Sequence, residues 1–169
     1  MTEPPTGPRW LDDTEMRAWA GLLETYDLIH RQVELQLREE AGLTMVQYEI
    51  LTRLDESPAG SCGMTELAER MVASRSGLTY QVGQLAKAGL LVREPDPADE
   101  RAVRAVLTEA GRRLLEATAP GHVRVVREGL LDLFTPAQVT QLATLMDTAR
   151  THLRQVVPVI PPRPRRKRE

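Results

Sequence analysis

The chain has 169 residues, of which 41% are hydrophobic and 27% are charged, a composition typical of a folded globular protein. A single cysteine argues against a disulfide framework. The lack of an apolar run of about 18 residues argues against a membrane span, and the lack of an apolar leader near the start argues against a secretory signal. The net charge is −2, although the last seven residues carry five basic side chains and one acidic one, so any nucleic-acid-binding surface must be a local basic patch on an acidic body.

A long amphipathic helix is the first predicted element. Residues 1–11 are rich in proline and are expected to be disordered. Asp12 and Glu15 match a capping box, and Gly42 matches a C-terminal stop. Apolar residues recur between these signals at helical spacing, namely Trp19, Leu22, Leu23, Tyr26, Ile29, Val33 and Leu37. Such a helix runs about 40 Å, which is too long for one small domain to cover, so we expect it to pack against a second subunit.

Three shorter helices are predicted to follow. Thr44 and Gln47 form a second capping box that begins the first of them, and residues 57–63 have the composition of a loop. Thr65 is expected to cap the next helix. After a break at 72–74, a helix over roughly residues 74–88 ends before a glycine. The last two helices, joined by a tight turn, are typical of a helix-turn-helix motif.

The second half of the chain predicts a hairpin and two more helices. β-prone residues 90–93 and 103–107 flank a polar tip at 95–102, a pattern typical of a wing. Thr108 begins a helix that extends to Leu133, with Pro120 expected to kink or break it. Thr135, with proline next and glutamine three residues on, begins the final helix. Residues 158–169 are expected to form a disordered basic tail that either adds phosphate contacts or is inert.

The predicted second helix of the motif has two distinct faces. At about 100° per residue, Leu78, Val82 and Leu85 form a core face. The other side carries polar or small residues and no acid, and the chain has no acidic residue between Glu69 and Glu94. Such a face suits the major groove, although it is equally the ordinary solvated face of an amphipathic helix. The candidate DNA contacts on this helix are Ser74, Arg75 and Ser76 for phosphate, and Thr79, Tyr80, Gln84 and Lys87 for base edges.

An arginine near the predicted hairpin tip is a candidate for the minor groove. Arg101 can insert where negative potential is concentrated, and Asp99, two residues away, can hold its guanidinium. The alternative is a solvent-exposed ion pair that contributes almost no stability.

Several strings resemble the MarR family of winged helix-turn-helix regulators. They are Leu43-Thr44, Tyr48-Glu49-Ile50-Leu51, Met64 to Arg70, Ser74 to Thr79, Leu85 to Leu91, Asp99-x-Arg101 and Val106 to Gly111. The resemblance implies a mostly helical α+β fold, with a winged helix-turn-helix domain at 43–108 and a helical dimerisation region at 12–42 and 109–157. It also implies a homodimer that represses promoters by binding a near-palindromic operator. A small molecule or an oxidant releases such a repressor from DNA. Tyr80 and Gln81 stand where many relatives carry a basic residue, which leaves the operator sequence open.

Other chemistry has less support in the sequence. Tyr26, His30 and Tyr48 are candidates to line a cleft for an aromatic or phenolic ligand, although core packing explains the tyrosines equally well. Histidines occur singly and without metal-site spacing, and no nucleophile–base pair is recognisable, so neither a metal, a cofactor nor an enzyme activity is expected. Cys62 is interpreted as an ordinary loop thiol rather than a redox switch.

These observations together predict a cytoplasmic, homodimeric regulator that binds double-stranded DNA and is expected to act as a repressor. The alternative is a winged helix that docks a protein partner instead of DNA. The acid-free stretch favours DNA, and the salt dependence of binding distinguishes the two, because contacts to phosphate release counterions.

Overall fold

A computed structural model describes residues 8–71, 75–97 and 99–157, with the backbone alone at 75, 76 and 99–101. Its first element is the predicted long helix, α1, which spans Asp13–Ala41. The side chain of Asp12 accepts hydrogen bonds from the backbone N–H groups of Thr14 and Glu15, and Gly42 ends the helix at a φ of 66°. Both end signals are therefore confirmed.

The remaining elements alternate between helices and short strands. In chain order they are α2 (Met45–Asp55), a 3-10 turn (Pro58–Gly60), β1 (Ser61–Gly63), α3 (Met64–Met71), α4 (Arg75–Lys87), β2 (Leu91–Asp96), β3 (Asp99–Leu107), α5 (Glu109–Gly129), a 3-10 turn (Leu131–Leu133) and α6 (Pro136–Val156). The chain thus has the mostly helical α+β fold that the sequence predicted, with a helix-turn-helix pair and a wing. No helix in the described part of the chain has both the length and the apolar character to cross a bilayer.

A small antiparallel sheet corrects two of the predicted boundaries. Residues 57–63 were expected to be a loop, but 61–63 form β1, which pairs with β3 from Ser61 opposite Val106 to Gly63 opposite Arg104. The hairpin strands β2 and β3 also extend through most of the predicted tip. The reason is that backbone N–H and C=O groups pair across strands whatever the side chains, so short polar runs can still be strand.

The core of the winged helix-turn-helix is one apolar cluster. Its fully buried members come from α2, α3, α4 and the sheet, and include Ile50, Leu51, Leu54, Leu67, Leu78, Val82, Leu85 and Leu91. All three residues of the predicted core face of α4 are among them, so that face is confirmed. In α3 the helix begins at Met64, so Thr65 lies inside it rather than at its cap.

Helix α5 is continuous, which makes a break at Pro120 wrong. The side chain of Thr108 caps it, as predicted, by accepting from the backbone N–H of Gly111 at 3.1 Å. Pro120 and Glu116 both lie on the exposed side, where water can bind the carbonyl that the proline leaves without a donor. The helix ends at Gly129, and the predicted residues up to Leu133 form the 3-10 turn instead.

Large apolar side chains lie exposed along α1 and α6. Helix α1 is buried only near its C-terminal half, and α6 has no buried residue in its described length. The exposed set on these two helices includes Trp19, Leu22, Leu23, Tyr26, Leu145, Met146 and Leu153. Exposed apolar side chains in this number on two helices are typical of a protein–protein interface.

Candidate nucleic-acid interface

The outward face of α4 is polar, open and free of acidic side chains. Tyr80 is 63% exposed, Thr79 and Lys87 are exposed, and Gln84 is half-buried. A Cβ built at Gly83 would meet nothing within 4 Å, so another molecule can approach the backbone closely there. No Asp or Glu occurs between Arg75 and Lys87. Because the other side of α4 is fixed in the core, this face is turned away from the protein.

The remaining predicted contacts lie at two neighbouring edges. Arg75 and Ser76 form the first turn of α4, while Ser74 lies outside the described residues. Asp99 begins β3 directly opposite Asp96 of β2, and Arg101 follows two residues on. The backbone thus puts Asp99 and Arg101 at the tip of the hairpin, as expected. The proposed pairing of their side chains stays a prediction.

The aromatic residues proposed for a ligand cleft fall into two separate pairs. On α1, the rings of Tyr26 and His30 lie 5.6 Å apart. On α2, Tyr48 contacts His122 of α5 instead, with ring centroids 5.0 Å apart. Nothing in the sequence spacing of Tyr48 and His122, which lie on different helices, signals this contact.

The imidazole of His122 is partly buried beside the ring of Tyr48. Burial lowers the pKa of His122, and Nδ1 of His122 is buried without a hydrogen-bond partner among the described residues. Burial also raises the pKa of Tyr48, which a hydrogen bond with the Thr52 side chain partly offsets. Both effects favour the uncharged forms, so the α2–α5 contact is made between two neutral rings.

We expect His122→Phe to reduce the sensitivity of the fold to acid. Because the pKa of His122 is below its ordinary value of 6.5 in the folded chain, the unfolded chain takes up the proton first as the pH falls. The contribution of His122 to stability is therefore complete above about pH 6.5 and decreases as the pH drops below it. Phenylalanine keeps a ring against Tyr48 and cannot be protonated. Urea unfolding at about pH 7.5 and about pH 5.5 should show a smaller loss for His122→Phe than for wild type.

The matched control is His152→Gln on the exposed side of α6. It removes one histidine without touching the Tyr48–His122 contact, so its loss of stability should equal that of wild type. Equal losses in wild type and His122→Phe would contradict the prediction.

Cys62 has the properties of a structural residue. It lies in β1 rather than in a loop, and its side chain is 3% exposed. Burial, followed by the neighbouring Glu66, raises the pKa of the Cys62 thiol to about 11. Since the thiolate is the reactive form, a raised pKa and low exposure both disfavour oxidation. Nor do histidine, cysteine and acidic side chains gather into a group suited to a metal ion in the described ranges.

Comparison with known proteins places these features in a family. A model described as MarR family matches residues 43–103. Two MarR family transcriptional regulators from Streptomyces coelicolor have similar structures. Sco3205, solved in complex with DNA, is 38% identical, with 88% of this chain and 92% of that chain covered and a TM-score of 0.82. AbsC is 39% identical, with 88% and 99% covered and a TM-score of 0.81. YkoM of Bacillus subtilis, an uncharacterized HTH-type transcriptional regulator, is 29% identical over 68% of this chain and 72% of its own.

Proposed function

Because the chain belongs to the MarR family of transcriptional regulators, we propose that it is a cytoplasmic, ligand-responsive repressor that binds a near-palindromic operator as a homodimer. Members of this family are DNA-binding regulators and not enzymes, and the chain is accordingly a DNA-binding transcriptional regulator. We propose four further properties beyond DNA-binding regulation, namely a near-palindromic operator, repression, response to a ligand and a homodimer.

The outward face of α4 is the observation that carries the proposal. It combines an exposed cation, hydrogen-bonding side chains and an open glycine, and it has no carboxylate to repel phosphate. A major groove accepts a helix with this face, because base edges offer donors and acceptors at that depth. We assign base contacts to Thr79, Tyr80, Gln84 and Lys87, and phosphate contacts to Ser74, Arg75 and Ser76.

The apolar surface on α1 and α6 supports a homodimer. Exposed leucine side chains on both helices, with Trp19 on α1, remain uncovered by the chain's own winged domain. A second copy that covers them would place two copies of α4 on one duplex. A separation of about 34 Å between the two would match successive major grooves.

Ligand response is proposed for the aromatic pair on α1. Tyr26 is exposed and its ring lies beside that of His30, so both present a ring face and a polar tip to an incoming molecule. These are the groups that bind a small aromatic or phenolic acid. The ring of Tyr48 contacts His122 in this structure. We propose that Tyr48 binds the ligand only in a conformation in which this ring contact is broken.

We expect Arg101→Ala to weaken operator binding by about tenfold to a hundredfold, the range for an arginine that contacts DNA. The fold should be unaffected, because the backbone of Arg101 lies at the tip of the hairpin. The measurement is the dissociation constant for a duplex that the wild-type protein selects from a random pool. Arg154→Ala, an exposed arginine near the end of α6, is the matched control and should bind as wild type does.

Salt dependence separates the proposal from a protein-docking winged helix. Binding that weakens steeply between low and physiological salt indicates phosphate contacts, and its slope should fall in Arg101→Ala. Equal affinities of wild type and Arg101→Ala would remove the wing from the mechanism. A wild-type protein that selects no duplex would reject sequence-specific binding altogether.

A further inference from the structure

We propose that Gln47 is a positioning residue that fixes the rotation of α4 about its own axis and thereby sets how selectively the protein reads DNA. The inference rests on the proposed function, since it assumes that α4 contacts base edges. The structural basis is a hydrogen bond between the side-chain amides of Gln47 on α2 and Gln81 on α4.

The amide of Gln47 is held on both sides. Its Oε1 accepts from the backbone N–H of Thr44 at 3.0 Å, which is one half of the capping box of α2. Its Nε2 donates to Oε1 of Gln81 at 3.1 Å. Because the cap fixes the direction of the oxygen, it also fixes the direction in which the NH2 group points. Gln47 therefore reaches α4 as a donor with a defined orientation.

The N-terminus of α2 is in turn held by α1. The backbone N–H of Met45 donates to Oε2 of Glu34 at 2.6 Å, and Arg38 binds the other oxygen of that carboxylate at 3.0 Å. A carboxylate at a helix N-terminus is also favoured by the helix dipole. Hydrogen bonds thus run from α1, through the first turn of α2, to the side of α4.

The Gln47–Gln81 hydrogen bond on the flank of α4 limits rotation of the helix about its own axis, which the apolar contacts of α4 do not. Leu78, Val82 and Leu85 bury their side chains in the core, but apolar burial has no preferred direction and tolerates a small roll of the helix. A hydrogen bond loses strength when its angle opens, so it opposes that roll. Gln81 lies between the core face and Tyr80 on the helical wheel, so a roll of α4 that moves the outward side chains across the groove also moves Gln81 relative to Gln47.

The test measures selectivity rather than affinity alone. We would compare the dissociation constants for the duplex enriched from a random pool and for a scrambled duplex of equal length, at one salt concentration. Gln81→Met and Gln47→Met each remove the bond while keeping a side chain of similar length, and Gln47→Met also removes the acceptor for the backbone N–H of Thr44. Each should reduce the ratio of the two constants by about fivefold to tenfold, the effect of one hydrogen bond. The selectivity ratio of the double variant should be no lower than that of the more affected single variant, because both substitutions remove the same contact.

A conservative variant distinguishes positioning from stability. In Gln47→Glu the carboxylate keeps the capping box and can accept from a Gln81 amide that has turned over, so the selectivity ratio should return to within about twofold of wild type. The added charge lowers affinity for both duplexes alike and cancels in the ratio. Thermal unfolding of all variants records any loss of fold separately.

Three results would overturn the inference. They are an unchanged ratio in Gln81→Met, additive losses in the double variant, or a Gln47→Glu ratio as low as that of Gln47→Met. If the wild-type protein enriches a duplex and any of these results is found, the positioning role of Gln47 is rejected and the proposed function is unaffected. A wild-type protein that enriches nothing rejects both.

Discussion

Leu23→Glu should convert the protein from a dimer to a monomer and reduce its affinity for operator DNA by at least about a hundredfold. Leu23 is 46% exposed on the N-terminal half of α1, within the apolar face that we assign to the partner subunit. Burying an unpaired carboxylate in an apolar interface is costly, so the two chains separate. A monomer engages one half-site only and loses the gain from linked binding, which is typically 10²–10⁴-fold. Light scattering after gel filtration would report one chain of 18.9 kDa instead of two.

Leu35→Glu is the matched control for this substitution. Leu35 is 55% exposed on the same helix but lies about 180° around it from the centre of the apolar face. The same chemical change there should leave both the mass in solution and the affinity unchanged. A dimeric Leu23→Glu variant, or a wild type that is monomeric at micromolar concentration, would contradict the proposed subunit interface.

Gly111→Ala should lower the free energy of unfolding by about 3 kcal/mol, the upper end for an overpacked site. A Cβ at Gly111 would lie 2.1 Å from the backbone oxygen of Leu90 and 2.7 Å from Cδ1 of Leu107. That oxygen also accepts from the backbone N–H of Thr108, so it cannot move away without losing a hydrogen bond. The clash therefore disturbs the junction of the wing and α5. Urea unfolding at matched protein concentration measures the effect.

Gly83→Ala tests the same change where there is space. Nothing lies within 4 Å of a Cβ at Gly83, and the residue is in the interior of α4. Alanine should therefore stabilise the fold by about 0.5–1 kcal/mol, since it restricts the unfolded chain more than glycine does. If the two alanine variants had equal stability, the close approach at Gly111 would not exist in solution.

Helix starts that are marked by a capping box were the most predictable part of the fold. The boxes at Asp12, Thr44 and Thr135 each consist of two side chains three residues apart, and all three form the expected hydrogen bonds. Such signals are read correctly from sequence because every participating atom lies within one turn. The core face of α4 was predictable for a related reason, since it follows from the helical period alone.

Contacts between distant residues were not predictable in the same way. Strand β1 is three residues long, which is too short to show a period, and it exists because β3 pairs with it. The break expected at Pro120 did not occur, because whether a proline breaks a helix depends on which side faces water, a property of the packing. The contact of Tyr48 with His122 was not predictable, and Gln81 was noticed only as a departure from relatives.

The order β1–β3–β2 has a mechanical consequence for the wing. Strand β3 is paired on both edges from Arg104 to Val106, with β1 on one side and β2 on the other. Among the described residues, β2 is the sole strand paired with β3 beyond Gly63 and Arg104, so we expect the hairpin to bend in that outer part. The three-stranded base of the hairpin is held on both edges of β3. Lengthening or shortening the two-stranded outer part should therefore change how far the hairpin extends along a duplex, without changing the part of the domain that carries α4.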